Sequence, residues 1–328
     1  MTRTGDILSR AAGEPWTVVS VVLRAAALAA LALLLGHVVV SVARGEFAAL
    51  GDAGTLARLA AASVVYLSGH ALRVVRLAML IGAWQAGFRQ VASFHFFTAA
   101  VSLVVPLKLG EIYRVAELSN LTHGPVRAVV IVWWERAFDI AAILVLLLAA
   151  LATSNGSSVG ELGGVTAIAT LFMLVTAVVF FVVPENLRRL SILIIRRYAT
   201  ARAVPVLALT DRARRAILEA PRVVENKVAS LVTLTALIWT CEALCFAIAI
   251  PALSNSFDEA LAALLGFLSS VTRGETWFGA FGAGAGDVPM SALSYLAATQ
   301  APLVVLGAAA GVYYIVHGRR AGAAGGRA

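Results

Sequence analysis

Charged residues stand in apolar surroundings at two places in the chain, residues 106–114 (PLKLGEIYR) and residues 133–139 (WWERAFD). A charged side chain in a bilayer is energetically costly, and such residues usually mark a substrate or proton path. Lysine and arginine can bind a phosphate there, while carboxylates can pair with them or carry a proton. The two segments therefore predict a site for an anionic group inside a membrane.

The first segment is predicted to be a break between two helices. Pro106 lacks an amide hydrogen, and Gly110 gives the backbone freedom to turn. Beyond the break, Glu111 and Arg114 stand three residues apart at the start of a new helix, so they share a face. The free N–H groups of a helix N-terminus suit a phosphate. We expect Lys108 and Arg114 to bind the phosphate oxygens.

The second segment places Glu135 and Asp139 four residues apart, with Arg136 beside them. Counted from Arg127, Glu135 lies about 12 Å along a helix, too deep for its carboxylate to reach the interface easily. We predict that these residues line the same site as the first segment. A buried ion-pair network that only locks helices together is the alternative.

Other charged residues within apolar runs extend the predicted site. Arg73 and Arg76 stand one turn apart near the end of an apolar run, where they would meet a phosphate or extend to the interface. Arg24 and Glu242 each lie within an apolar run without an evident partner nearby in the sequence. The candidate proton carriers are Glu111, Glu135, Asp139 and Glu242.

The composition is that of a membrane protein. Of 328 residues, 60% are apolar and only 13% are charged, whereas soluble domains carry roughly 25% charged residues. Cys241 and Cys245 stand one helical turn apart and match neither a disulfide framework nor a zinc site. We predict no cofactor, no metal and no nucleic-acid partner, and no P-loop sequence supports ATP hydrolysis.

The predicted fold is an all-α integral membrane protein that forms one polytopic domain, residues 1–328. Apolar runs of sufficient length predict six crossing helices at residues 16–43, 55–84, 127–152, 163–183, 228–250 and 291–317. Two broken runs, 91–122 and 259–289, are predicted to be re-entrant hairpins that enter from opposite sides. This arrangement keeps the basic segment 185–227 and both termini in the cytoplasm, as the positive-inside rule requires.

The basic segment 185–227 contains ten Lys or Arg residues and four acidic residues. It acts either as an orientation signal or as a platform for anionic headgroups. The two hairpins resemble the broken helices of inverted-repeat transporters. Because RGE at residues 273–275 echoes KLGE at residues 108–111, we predict Arg273 and Glu275 as site residues of the second hairpin.

The charged motifs resemble those of a known family, whose pattern is Arg-x-x-Arg, then Pro-x-x-x-Gly-Glu-x-x-Arg, then Glu-Arg-x-x-Asp. The matching residues are Arg73 and Arg76, then Pro106, Gly110, Glu111 and Arg114, then Glu135, Arg136 and Asp139. On these motifs, essentially the whole chain resembles the flippase-type membrane domain of lysylphosphatidylglycerol synthases, as a stand-alone member. The chain ends soon after its last predicted helix, so we expect neither an aminoacyl-transfer domain nor lysine transfer.

The resemblance implies translocation of an anionic or polyprenyl-type lipid across the bacterial inner membrane. One motif departs from the family, because residues 279–289 (GAFGAGAGDVP) lack its leading proline and its glutamate, which leaves Asp287 as the candidate replacement. A membrane enzyme acting on a lipid-linked substrate is one alternative. A non-transporting assembly factor that binds envelope-biosynthesis proteins is another. We favour a transporter because the sequence contains no nucleophile elbow and no metal-binding motif of a hydrolase.

Overall fold

The computed structural model describes residues 24–33, 35–36, 39–40, 52–82, 87–104, 109–122, 124–153, 159–197, 203–249 and 290–324. The helices are α1 (Arg24–Leu33), α2 (Ala53–Ile81), α3 (Phe88–Val104), α4 (Leu109–Leu121), α5 (Pro125–Thr153), α6 (Val159–Ala177), α7 (Val183–Arg197), α8 (Ala203–Val224), α9 (Val228–Ala249) and α10 (Met290–Ala324). A π-helical segment, Val178–Val182, joins α6 to α7. No strand occurs within these ranges. The predicted all-α membrane class is confirmed.

Four described stretches are long and apolar enough to cross a membrane: Ala53–Ile81, Gly163–Arg197, Val228–Ala249 and Ala297–Ile315. They correspond to four of the six predicted crossings, and the protein is therefore a multi-pass membrane protein. Helix α5 occupies the predicted crossing 127–152 but carries four charged side chains. Helix α1 lies within the predicted crossing 16–43. The total number of crossings stays a prediction.

The predicted hairpin 91–122 contains α3 and α4 on either side of residues 105–108, which lie outside the described residues. The second predicted hairpin, 259–289, also lies outside them. Their re-entrant paths stay predictions. In the basic segment, α7 continues the helix that begins with α6, so this helix runs well past the predicted end at residue 183. Arginine and leucine are good helix formers, which explains why the helix continues where the apolar run ends.

The chain divides into two compact units. The first, unit 1, comprises Met1–His70, Gly87–Glu117 and Glu242–Ala328. Within it, α10 packs closely on α3 because Gly307 and Gly311 face α3. A Cβ atom at Gly311 would lie 2.6 Å from the ring of Phe97. Small residues at such contacts let two membrane helices approach each other.

The second, unit 2, comprises Ala71–Ala86 and Leu118–Cys241. Within this unit, two tryptophans of α5 contact the neighbouring helices. The Trp133 indole N–H donates to Thr176 Oγ1 at 3.3 Å, and the Trp134 indole N–H donates to the carbonyl of Ala220 at 2.8 Å. The Trp134 ring also stacks on Phe180 at 5.0 Å between centroids. The π-helical segment and α8 are thereby held against α5.

Both ends of α2 are capped. Asp52 accepts the amide hydrogen of Thr55 at 2.9 Å, and its hydrogen bonds with Thr55 lower the pKa of this exposed carboxyl. At the other end, Gly82 ends the helix with φ +74°. Cationic side chains bind the last carbonyls there: Lys227 donates to Met79 at 2.8 Å, and Arg127 donates to Ile81 at 3.1 Å. These contacts fix the end of α2 that carries Arg76.

Candidate functional site

The most tightly defined part of the predicted site is an ion pair between α2 and α5 in unit 2. Arg76 binds both carboxylate oxygens of Asp139, with its Nη1 2.7 Å from Oδ1 and its Nη2 3.1 Å from Oδ2. Arg76 Nη1 also donates to Thr235 Oγ1 on α9 at 3.1 Å. Arg76 is 1% exposed and Asp139 is 8% exposed. A charge-assisted bidentate pair of this kind is both strong and directional.

The residues next to this pair were also predicted from the sequence. Arg136, one turn before Asp139 on α5, places Nη1 3.7 Å from Asp139 Oδ2 while 43% of its side chain stays exposed. Glu135 is buried on the same helix, with 4% exposure. Arg73 is half-buried one turn before Arg76 on α2. The structure therefore joins the Arg-x-x-Arg motif to the Glu-Arg-x-x-Asp motif through one ion pair.

The middle motif lies on α4 in unit 1. Glu111 is in the first turn of this helix and is half-buried, and Arg114 is buried with 7% exposure. Gly110 faces α3 so closely that a Cβ atom would lie 2.6 Å from Ser102 Oγ and 2.7 Å from Ser102 Cα. The structure thus gives Gly110 a different role from the predicted one. Gly110 lies inside α4, where it permits close contact with α3, and it does not make a turn.

The predicted site residues are distributed over both units. Arg73, Arg76, Glu135, Arg136 and Asp139 belong to unit 2, whereas Gly110, Glu111 and Arg114 belong to unit 1. Glu242 is half-buried on α9 in unit 1. The remaining predictions, Lys108, Arg273, Glu275 and Asp287, fall outside the described residues. Each unit therefore buries at least one arginine of the predicted site, Arg76 in unit 2 and Arg114 in unit 1.

Unit 1 contains a partly buried ion pair that the sequence did not reveal. Arg24 donates to Glu117 with Nε 2.7 Å from Oε1 and Nη2 2.6 Å from Oε2. The Tyr314 hydroxyl donates to Glu117 Oε2 at 3.3 Å, and the Arg24 guanidinium lies 5.3 Å from the centre of the Tyr314 ring. Glu117 is 2% exposed. The only sequence signal was the isolated Arg24, since Glu117 stands 93 residues away.

Two histidines also meet in unit 1. The ring nitrogens His70 Nδ1 and His95 Nε2 are 3.1 Å apart, and both side chains are buried. The pair joins α2 to α3. One ring must donate its N–H to the other, so the two tautomers are coupled.

An apolar cavity of about 350 Å³ lies in unit 2 beside the Trp133 ring. Its walls come from the start of α5, from the π-helical segment and from α8. The lining residues are Pro125, Val126, Val129, Val130, Trp133, Val179, Phe180 and Ile217. A cavity of this size with only apolar walls suits a hydrocarbon chain.

The helical class, the membrane-spanning stretches and the buried arginine–carboxylate pairs define a multi-pass membrane protein with charged groups inside apolar helices. The chain matches the family model "Lysylphosphatidylglycerol synthase TM region" over residues 21–307, and it belongs to this family. The resemblance seen in the sequence is thus confirmed. No curated protein and no solved structure matches the chain.

Proposed function

We propose that this protein moves a lipid with an anionic phosphate or polyprenyl-linked headgroup across the bacterial inner membrane, with both of its termini in the cytoplasm. Membership of its family supports a role in lipid or envelope metabolism. Translocation is the more specific part of the proposal. It follows from what buried arginines can bind, and from the apolar surfaces that surround them.

One observation carries the proposal, namely the buried bidentate pair of Arg76 with Asp139. A carboxylate presents two oxygens to the guanidinium in the same way that a phosphate does. In the empty protein, Asp139 would therefore occupy the position that a lipid phosphate takes during transport. Thr235, which accepts a hydrogen bond from Arg76, would keep the guanidinium oriented while its anionic partner changes.

A transport cycle follows if Arg76 exchanges the carboxylate of Asp139 for a lipid phosphate. A phosphate that binds Arg76 displaces the carboxylate of Asp139, and Arg136, already 3.7 Å from Asp139, would then compensate that carboxylate. In unit 1, the buried Arg114 of α4 is by itself a further candidate to bind a phosphate. When the lipid leaves, the carboxylate of Asp139 returns to Arg76. Proton uptake by Glu111, Glu135, Asp139 or Glu242 would assist the step in which a phosphate displaces a carboxylate, and loss of that proton would assist release of the lipid.

The lipid tail requires an apolar environment along the path. Side chains such as Leu171, Leu174 and Phe181 point outward from α6 and the π-helical segment with 59%, 60% and 82% exposure, as expected for surfaces in contact with lipid. The apolar cavity beside Trp133 offers a further hydrocarbon-sized space. The buried arginines suit a headgroup inside the protein, and the exposed apolar side chains suit a tail that stays in the lipid phase.

Headgroup accessibility in proteoliposomes tests the proposal. Purified protein would be reconstituted without nucleotide into vesicles that contain labelled phosphatidylglycerol or a labelled polyprenyl phosphate. A membrane-impermeant quencher would then report the labels in the outer leaflet. We expect protein-dependent loss of the protected inner-leaflet signal, and we expect Arg114→Ala to slow this loss at least about tenfold, the effect of removing one charged hydrogen-bond partner.

Two results would count against translocation. Wild-type protein that leaves every lipid of the panel protected would contradict it directly. A chemically altered lipid recovered from the vesicles would instead indicate the enzyme that was considered as the alternative. Vesicles that contain Arg58→Gln protein provide the matched control, because Arg58 is an exposed arginine at the start of α2.

A further inference from the structure

Helices α7 and α8 form a strongly basic hairpin in unit 2. Together they carry eight arginines and three acidic residues. The two helices pack against each other and are joined by residues 198–202, a connection short enough to make them antiparallel. Ser191 Oγ on α7 and Thr210 Oγ1 on α8 lie 3.2 Å apart, and this contact fixes their register.

The register brings arginines of both helices to one level. At 1.5 Å per residue, Arg188 and Arg189 lie about 3 to 5 Å from the Ser191–Thr210 contact towards α6. On the antiparallel α8, the arginines that follow Thr210 lie about 3 to 8 Å from the contact in the same direction. The five residues at this level, which we call the interfacial arginine band, are Arg188, Arg189, Arg212, Arg214 and Arg215.

The long helix Gly163–Arg197, which ends with α7, indicates how deep in the membrane this band lies. Ile168 is 71% exposed and Phe181 is 82% exposed, and no charged residue occurs between Glu161 and Glu185. Beyond Glu185, exposed apolar side chains such as Ile195 alternate with arginines. The hydrocarbon core therefore extends to about Val182, and the interfacial arginine band lies about 6 to 11 Å beyond it. Lipid headgroups add roughly 5 to 8 Å on each side of the hydrocarbon core. Arg214 and Arg215 lie within this layer, and the other three arginines of the band lie within about 3 Å of it.

Four of the five arginines of the band are exposed to solvent, and Arg214 is half-buried. The side chains of Arg188, Arg189 and Arg215 are 60%, 75% and 64% exposed. Their acidic neighbours are Glu185, 3.5 Å from both Arg188 and Arg189, and Asp211, 2.6 Å from Arg215. Exposed pairs of this kind contribute little, and five arginines outnumber two carboxylates. Lipid phosphates can therefore compete for these guanidinium groups.

We propose that the interfacial arginine band binds the headgroups of anionic phospholipids in the leaflet that it meets. This surface is separate from the buried residues of the transport proposal and does not depend on them. Its role is to hold anionic lipids against unit 2. Because attraction between charges falls off within about 8 Å at physiological salt, only arginines within a few Å of the phosphates contribute strongly.

A matched pair of double variants tests the proposal. R188Q/R189Q removes two charges from the band. R196Q/R197Q removes two exposed charges from the same helix, about 21 to 23 Å beyond Val182. Full-length protein would be titrated with phosphatidylglycerol, and separately with phosphatidylcholine, and native mass spectrometry would count the retained lipids. We expect R188Q/R189Q to weaken phosphatidylglycerol retention roughly 30-fold and R196Q/R197Q to change it less than about threefold.

A charge-preserving variant completes the design. R188K/R189K should retain phosphatidylglycerol within about threefold of wild type, since an attraction to phosphates needs the charge more than the guanidinium shape. Equal losses in the two glutamine variants would overturn the proposal, because they would show an effect of net charge alone. Unchanged retention in R188Q/R189Q would overturn it as well, because it would show that these arginines do not hold the lipid. Neither result depends on whether lipid is translocated.

Discussion

At the scale of single residues, the arrangement of Arg76 and Asp139 fits both a structural interpretation and a functional one. The guanidinium is 1% exposed and uses both of its terminal nitrogens on the carboxylate. Removing one partner of such a pair leaves a buried charge without compensation, which typically costs about 3–5 kcal/mol. Removing both partners avoids that penalty and is often close to neutral. The two interpretations can therefore be separated by substitution.

We predict that Asp139→Asn lowers the melting temperature of the detergent-solubilised protein more than the double variant Arg76→Gln/Asp139→Asn does. The single change leaves Arg76 charged and buried, whereas the double change removes both charges. Thermal unfolding followed by circular dichroism measures both. A double variant that is less stable than Asp139→Asn would contradict this assignment of the pair.

Residue identity was easier to predict from the sequence than residue pairing. Arg76 and Asp139 stood out because each is a charge within an apolar run, and a family motif marked both of them. Arg24 also stood out, but its partner Glu117 did not, because 93 residues separate them and no local periodicity connects them. Contacts between distant helices depend on packing, which one sequence does not encode in any local pattern.

At the scale of helices, α3 and α4 show how a small residue positions a charged one. Gly110 lies one residue before Glu111 and one turn before Arg114, on a helix that approaches Ser102 of α3 very closely. The absence of a side chain at Gly110 lets the backbones of α3 and α4 approach, and this contact positions Glu111 and Arg114. Gly-Glu-x-x-Arg is thus a packing unit as well as a charge pattern.

We predict that Gly110→Ala destabilises the protein by about 1–3 kcal/mol, the usual effect of overpacking. The new Cβ would lie 2.7 Å from the Cα atom of Ser102, so a rotamer change alone cannot relieve the contact. Gly164→Ala is the matched control, since no atom lies within 4 Å of a Cβ there. Melting temperatures in detergent compare the two, and an unchanged value for Gly110→Ala would refute the close-packing role.

Helix positions followed from apolar runs far more readily than helix ends did. The crossing predicted at residues 228–250 matches α9 (Val228–Ala249) closely. The crossing predicted at residues 163–183 ends with the uncharged stretch, whereas the helix itself continues through α7 to Arg197. Hydropathy reports the surroundings of a segment and not its backbone, and for that reason it missed the basic hairpin of α7 and α8.

At the scale of the whole molecule, family membership and the membrane-spanning helices place the chain in lipid or envelope metabolism. The charges define two kinds of surface. Buried arginines with carboxylate partners occur within apolar helices, and exposed arginines gather on one hairpin. The first kind suits a headgroup that passes through the protein, whereas the second suits headgroups that stay in their leaflet.

The most direct test of transport compares two variants in the proteoliposome assay with labelled phosphatidylglycerol. Arg76→Gln/Asp139→Asn removes the buried pair without leaving an uncompensated charge, and Arg58→Gln removes an exposed arginine from the same helix α2. The account predicts that the double variant slows headgroup exchange at least about tenfold, while Arg58→Gln exchanges lipid as fast as wild type. Wild-type exchange by the double variant would show that the pair only stabilises the fold, and would contradict the proposed mechanism.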